Sequence, residues 1–297
     1  MATVGVIGAG TMGAGVAHDL ARHGYDVVLV DSPEALGRAA AACRDLCRLE
    51  KLFGREAGGV EVATVVRRIR RVVDIHALEA VAFVIENVTE RWDVKASVYR
   101  QLDRLCRPDA IVAANTSAIP ITRLAAETSR PAQIIGIHFM NPVFLKPVVE
   151  VIRGADTSDD TVARALALLA TIGKTGILVG DAPGFVSNRV LMLTLNEAIW
   201  LVHDRVAPAE VVDRVFRDCV GHKMGPLETA DLIGLDTVLL SIEVLHEHLG
   251  DHKFTPCPLL REMVDAGRLG RKTGEGFFTY ADASCGTATG TGVDGHY

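Results

Sequence analysis

The sequence predicts an α/β protein: a doubly wound, mostly parallel sheet followed by an all-helical C-terminal domain. Three observations carry this. An apolar run, Thr3–Ile7, ends in glycines and passes directly into a helical pattern. Strand and helix signals then alternate over the first ~180 residues, the pattern of βαβ units. Near Asp181-Ala182-Pro183-Gly184 the strand signals stop, and only helical patterns follow.

The elements follow in order. Thr3–Ile7 is a buried strand, and the helix Met12–His23 stops at Gly24, a C-terminal cap. Asp26–Val30 is a second buried strand. Ser32 is placed as an N-cap with Pro33 in the first helical position, opening a long helix to Phe53. Gly54–Gly59 interrupts it. Further strands are expected over Val81–Glu86, Ala110–Ala114, Ile134–Ile137, Val148–Ile152 and Gly176–Val179. Beyond residue 183, Phe185–Val202, Pro208–Val220, Leu235–Leu249 and Leu259–Ala266 read as helices. Val211, Val212, Val215, Phe216 and Cys219 form one apolar stripe on the second. The expected division is residues 1–183, 184–281, and a tail over 282–297 too poor in apolar residues to pack.

Composition narrows the function classes. The 297 residues are 49% hydrophobic and 23% charged, a balance that excludes a disordered chain. The formal charge of −6 supplies no positive field for nucleic acid. The most apolar stretch, Val162–Val179, is broken by Arg164 and Lys174, so no membrane span is expected. Without a basic, signal-like N-terminus the expected location is cytoplasmic. Cys43, Cys47, Cys106, Cys219, Cys257 and Cys285 contain no CxxC and read as free thiols, neither a disulfide frame nor a zinc site. His248 and His252 have i, i+4 spacing, but Gly250 lies between them and no HExxH is present, so no metal site is expected.

Gly8-Ala9-Gly10-Thr11-Met12-Gly13 is a GxGxxG placed between a strand and a helix, with Asp31 ending the next strand. That context is the Rossmann-type dinucleotide fingerprint. Gly8 makes the tight turn, Gly10 admits a pyrophosphate, and Gly13 lets helix and strand pack closely. Thr11 and Met12 open the helix, whose N-terminus faces the phosphates. Asp31 suits ribose hydroxyls and repels a 2′-phosphate, and no Arg follows it, so the expected cofactor is NAD rather than NADP.

Several short segments follow or end strands, or open the second domain: Asn115-Thr116-Ser117, His138-Phe139-Met140-Asn141-Pro142, Val149-Glu150-Val151 and Pro183–Arg189. Ligands of open parallel sheets bind beyond the strands' carboxyl ends. His138, Ser117 and Asn188 are therefore expected at one cleft.

With these segments, and with Met224–Asp231 and Gly270–Phe278, the chain resembles the 3-hydroxyacyl-CoA dehydrogenase family over residues 1 to about 280. The resemblance implies NAD-dependent oxidation of a 3-hydroxyacyl thioester, with a Rossmann-type domain followed by a helical domain that makes a homodimer. It implies His138 as general acid/base, Glu150 as its orienting carboxylate, and Ser117 and Asn188 as substrate contacts. Glu90 and Lys95 are implied near the nicotinamide, with Asn115 also on the cofactor side. The residue types fit the chemistry: an imidazole can take a hydroxyl proton, a carboxylate fixes its tautomer, and hydroxyl or amide donors polarise the forming carbonyl.

Two features depart from the family pattern. The stretch Glu50–Gly59 pairs Lys51 and Arg55 with Glu50 and Glu56, a poor match for the phosphates of CoA. Asn87 and Thr89 stand where small apolar residues are commoner. Both suggest a rival substrate on an acyl carrier protein, such as a glyceryl unit in polyketide extender-unit synthesis, with Arg67, Arg68, Arg70 and Arg71 as a docking cluster or a solvated face. A further alternative is an NAD-binding protein without turnover.

Overall fold

The computed structural model describes residues 2–54 and 60–280. The expected tail and Arg55–Gly59 lie outside the described residues. β1 (Thr3–Ile7) leads into α1 (Thr11–Arg22), β2 (Asp26–Val30) and α2 (Pro33–Leu52). The α2 start is built as the sequence suggests: Ser32 Oγ accepts the Ala35 N–H at 3.3 Å, and Pro33 occupies the first turn. α3 (Val62–Arg68) runs straight into β3 (Ile69–Val72). Then come β4 (Phe83–Glu86), α4 (Trp92–Leu105), β5 (Ile111–Ala114), α5 (Ile121–Ala125), β6 (Ile134–His138), β7 (Val148–Arg153), α6 (Asp159–Thr171) and β8 (Thr175–Gly180).

The eight strands form one sheet in the order β3-β2-β1-β4-β5-β6-β7-β8. Every pair is parallel except β6 and β7, which run antiparallel with His138 opposite Glu150. Both faces of the sheet's central strands are covered, which is why they read as unbroken apolar runs. Val4, Val6, Val27 and Leu29 pack with residues of α1, α2 and α6, whereas Ile7, Val28 and Val30 pack with residues of α4 and α5.

The chain divides into two compact units after Phe185. The second contains α7 (Ser187–His203), α8 (Ala209–Asp218), α9 (Pro226–Ile233), α10 (Leu235–Leu249) and α11 (Pro258–Asp265). Leu195, Ile199, Leu227, Leu235, Val238 and Ile242 are among its core residues. α9 is not among the helices expected from the sequence, and the first helix of this unit starts later than expected: Phe185 is buried with φ +51°, and α7 begins at Ser187.

Asp231 organises the end of this unit. Its carboxylate accepts the Phe277 and Phe278 N–H groups at 3.0 and 2.9 Å and the Tyr280 hydroxyl at 2.9 Å. A side chain at Gly276 would collide with Asp231 Oδ1 at 2.0 Å, so the glycine is a packing requirement. His248 and His252 do not share a helix face, because α10 ends at Leu249 and Gly250 turns left-handed at φ +61°. The five described cysteines are free thiols, and no described helix is long and apolar enough to cross a membrane.

Candidate active site

The glycine loop shows why its residue types are needed. Gly8 has φ +91° and lies against the Asn87 backbone, where a Cβ would sit 2.5 Å from the Asn87 carbonyl carbon. A Cβ on Gly13 would sit 1.8 Å from the Gly8 carbonyl oxygen. At Gly10, by contrast, a Cβ would meet nothing within 4 Å, so the space over the start of α1 is open. Gly10 and Thr11 are exposed and Met12 is partly so. Asp31 ties this loop to β2: Oδ2 accepts the Ala9 N–H and Oδ1 the Ser32 N–H, both at 2.6 Å.

Beside the loop is a cavity of about 410 Å³ lined by Gly8, Val30, Asp31, Asp74, Val88 and other side chains. It lies at the carboxyl ends of β1, β2 and β4, where such sheets bind dinucleotides. Open space at Gly10, close packing at Gly8 and Gly13, and a cavity bordered by two carboxylates fit an NAD adenosine half. They do not fit one carrying an extra phosphate. A larger cavity, about 600 Å³, lies wholly in the helical unit between α7 and the His252–Thr255 segment, and holds none of these residues.

The second cluster is built at the ends of β4, β5 and β6. His138 ends β6 and is buried, with Nδ1 2.8 Å from Glu150 Oε2 and Nε2 3.1 Å from Ser117 Oγ. Phe185 packs against the imidazole with ring centroids 5.9 Å apart. Ser117 follows β5, and its backbone is held by Glu90. Glu90 Oε1 accepts the Ser117 and Ala118 N–H groups at 3.0 and 3.1 Å and the Thr116 hydroxyl. Ser117 is not the cap of α5: Asp181 takes the Ile121 and Thr122 N–H groups there.

Asn115 joins three neighbours. Its amide donates to Asn87 Oδ1 at 2.7 Å, its Oδ1 accepts the Phe139 N–H at 3.1 Å, and its carbonyl accepts from Lys95 Nζ at 3.1 Å. Lys95 also contacts both Glu86 oxygens, at 2.9 and 3.0 Å, and Glu90 Oε2 at 3.5 Å. Lys95 and Glu86 are both fully enclosed. Burial pushes the Glu86 carboxyl upward, and Lys95 opposes it. Lys95 therefore stands inside this cluster, against Glu86, Glu90 and the Asn115 carbonyl.

His138, Glu150, Ser117, Asn115, Glu90 and Lys95 thus form one connected network within the first unit. Asn188 stands in the first turn of α7, in the helical unit. Sequence reasoning missed Glu86, Thr116 and Phe185. Glu86 could have been found as a carboxylate ending a buried strand, where an unpaired charge would be costly.

Family models match both halves of the chain: the NAD binding domain of 3-hydroxyacyl-CoA dehydrogenase over residues 3–182, and its C-terminal domain over residues 184–280. This chain belongs to the 3-hydroxyacyl-CoA dehydrogenase family. Among family relatives, a Bacillus subtilis (strain 168) protein named "Probable 3-hydroxybutyryl-CoA dehydrogenase" is 46% identical over 283 residues, covering 93% of this chain and 96% of the relative. A Bradyrhizobium diazoefficiens 3-hydroxybutyryl-CoA dehydrogenase is 44% identical, covering 94% and 96%. The crystal structure of the (S)-3-hydroxybutyryl-CoA dehydrogenase of Ralstonia eutropha superposes with a TM-score of 0.86 at 42% identity, covering 94% of this chain and 99% of that one. Family membership makes the chain an NAD-dependent oxidoreductase.

Glu50 and the four arginines, which suggested a carrier-bound substrate, have distinct surroundings. Glu50 is turned inward, 6% exposed and 2.7 Å from Arg22, so it does not offset the exposed Lys51 at the surface. Arg67 and Arg68 end α3, Arg70 and Arg71 lie on β3, and Arg68 donates to the Ala21 carbonyl at 3.0 Å.

Proposed function

We propose that the chain oxidises the 3-hydroxyl of a 3-hydroxyacyl-CoA, such as 3-hydroxybutyryl-CoA, to the 3-oxoacyl-CoA, with release of NADH and a proton. The observation that supports this most is His138 held between Glu150 and Ser117 in a chain of this family. With Nδ1–H donated to Glu150, the lone pair sits on Nε2, which takes the substrate hydroxyl proton. The Glu150 carboxylate then stabilises the imidazolium. Ser117 Oγ, already at Nε2, positions the same oxygen, and Asn188 is assigned a further substrate contact. Gly8, Gly10, Thr11, Met12 and Gly13 hold the cofactor phosphates, with Asp31 at the adenosine end. When bound, NAD supplies the hydride acceptor. Glu90, Lys95 and Asn115 are positioning residues that fix Ser117 and the backbone after His138.

The carrier-protein alternative is not favoured, since the close relatives are named for CoA substrates and Lys51 keeps its surface charge. NADH formation measured with 3-hydroxybutyryl-CoA and with a glyceryl carrier protein tests the reading. Turnover confined to the carrier-bound substrate would overturn it, and NAD binding without turnover of either would favour a non-enzymatic role. We further propose a cytoplasmic homodimer formed through the helical unit, whose Val190, Val215, Leu232 and Leu240 are exposed. Light scattering showing a monomer would remove that part.

A further inference from the structure

Away from both clusters, three metal-ligating side chains converge where α1 meets α2. His18 on α1 is fully buried. Cys47 and Glu50 stand three apart on α2, so they share a face, and both are nearly enclosed. His18 Nε2 lies 3.3 Å from Cys47 Sγ and 3.4 Å from Glu50 Oε2, and the three ligand atoms all lie within 4.8 Å of one another. Tetrahedral zinc, with Zn–N and Zn–O near 2.0–2.2 Å and Zn–S near 2.3 Å, requires ligand-to-ligand edges of roughly 3.3–3.6 Å. Two edges of that tetrahedron are therefore already set.

The surroundings supply the rest. Arg22 Nη1 lies 2.7 Å from the other Glu50 oxygen, Oε1, as an ion pair, while Oε2 faces His18. Arg22 is itself met by Asp19 at 2.6 Å, and Asp19 takes Lys174 at 2.9 Å. A cavity of about 20 Å³ adjoins Cys47 and Glu50, bordered also by Arg22, Lys51, Val60, Val62 and Val65. That is room for one water, the usual fourth ligand of an open site. Among the described residues His18 Nδ1 has no hydrogen-bond partner, so the ring is held by polar contacts only on its Nε2 side.

We propose that His18, Cys47 and Glu50 form a Zn²⁺ site with one water, pinning α1, the helix that follows the glycine loop, to α2. The donor set of thiolate, imidazole and carboxylate suits zinc. The thiolate formed on binding and the Glu50 carboxylate carry two negative charges, matching the ion. Arg22 remains as a neighbouring cation, so the site is weaker than an all-cysteine one. Metal uptake releases the Cys47 proton and any proton held on His18 Nε2.

The experiment uses the full chain after chelator treatment, titrated with Co²⁺ as a spectroscopic substitute and then with Zn²⁺. The expected result is one Co²⁺ per chain with thiolate-to-cobalt absorption, displaced by Zn²⁺. Cys47→Ser and His18→Gln should each lose that absorption, while Cys43→Ser keeps it. NAD affinity, read in every variant, checks that the fold persists. Zn²⁺ should raise the thermal midpoint of the wild-type chain and leave that of His18→Gln unmoved. Wild-type protein without thiolate-to-cobalt absorption overturns the proposal, as does absorption that survives either ligand substitution.

Discussion

Glu150 faces His138 directly across the β6–β7 ladder, and the carboxylate meets the imidazole at 2.8 Å. Directly opposed residues of an antiparallel pair point to the same side of the sheet, so the reversal of one strand in a parallel sheet creates the pair. His138→Gln should lower kcat/KM by about 10³-fold or more, because it removes the base assigned to the hydroxyl proton. Glu150→Gln keeps the shape but loses the charge, and should cost about 10²–10⁴-fold. NAD affinity should stay near wild type in both. Steady-state kinetics with 3-hydroxybutyryl-CoA and a cofactor titration check this. Near-normal kcat in His138→Gln would move the base elsewhere.

The two glycines of the loop should fail in different ways. Gly13→Ala drives a Cβ into the Gly8 carbonyl at 1.8 Å, so the loop must shift and the folded chain lose stability, by about 1–3 kcal/mol. Gly10→Ala meets no protein atom within 4 Å. It should leave the thermal midpoint near wild type and still weaken NAD, because the methyl group occupies space reserved for the cofactor. Equal NAD affinity in wild type and Gly10→Ala would mean the phosphates pass elsewhere.

Much of this was legible before the structure, for physical reasons. β1, α1 and β2 announce themselves because a fully buried strand is apolar throughout and its turn requires glycine. β3 did not, because Ile69-Arg70-Arg71-Val72 carries two exposed arginines on a sheet edge, where charge blocks pairing with other chains. The β6–β7 reversal leaves a trace in the spacing: only nine residues, 139–147, join the strands, too few for a crossover helix. His138, Glu150 and Ser117 were found through motifs. The Glu86–Lys95 pair spans nine residues and two elements, a spacing no helical or strand period marks. The inward turn of Glu50 depends on Arg22 and His18, distant in sequence, so a local charge count misplaced it.

Lys95 is the only cation facing Glu86 among the described contacts, and both are enclosed. Removing one partner strands the other. Lys95→Met should therefore destabilise the chain by about 3–5 kcal/mol, and adding Glu86→Gln should recover a large part of that. Urea unfolding of the two single variants and the double variant measures the coupling. Additive losses would show that the pair does not act as a unit.

A second carboxylate gives a pH signature. Asp103 on α4 accepts the Ser129 N–H and hydroxyl and the Arg130 Nε, each at 3.0 Å, tying α4 to the segment before β6. Partial burial works against its charge, but the Ser129 groups and Arg130 outweigh it and hold the carboxyl below its usual range. The folded state then binds fewer protons than the unfolded state between the two values, so stability rises with pH across that window. The contribution is fully present above the ordinary carboxylate value and is lost as pH falls through the folded one. Asp103→Asn should cost about 1–3 kcal/mol at neutral pH. Its stability deficit against wild type should shrink in acid, where the wild-type carboxyl is protonated too. Denaturant midpoints of both proteins across the acidic range test this, and a deficit that stays constant down to the acid limit would contradict it.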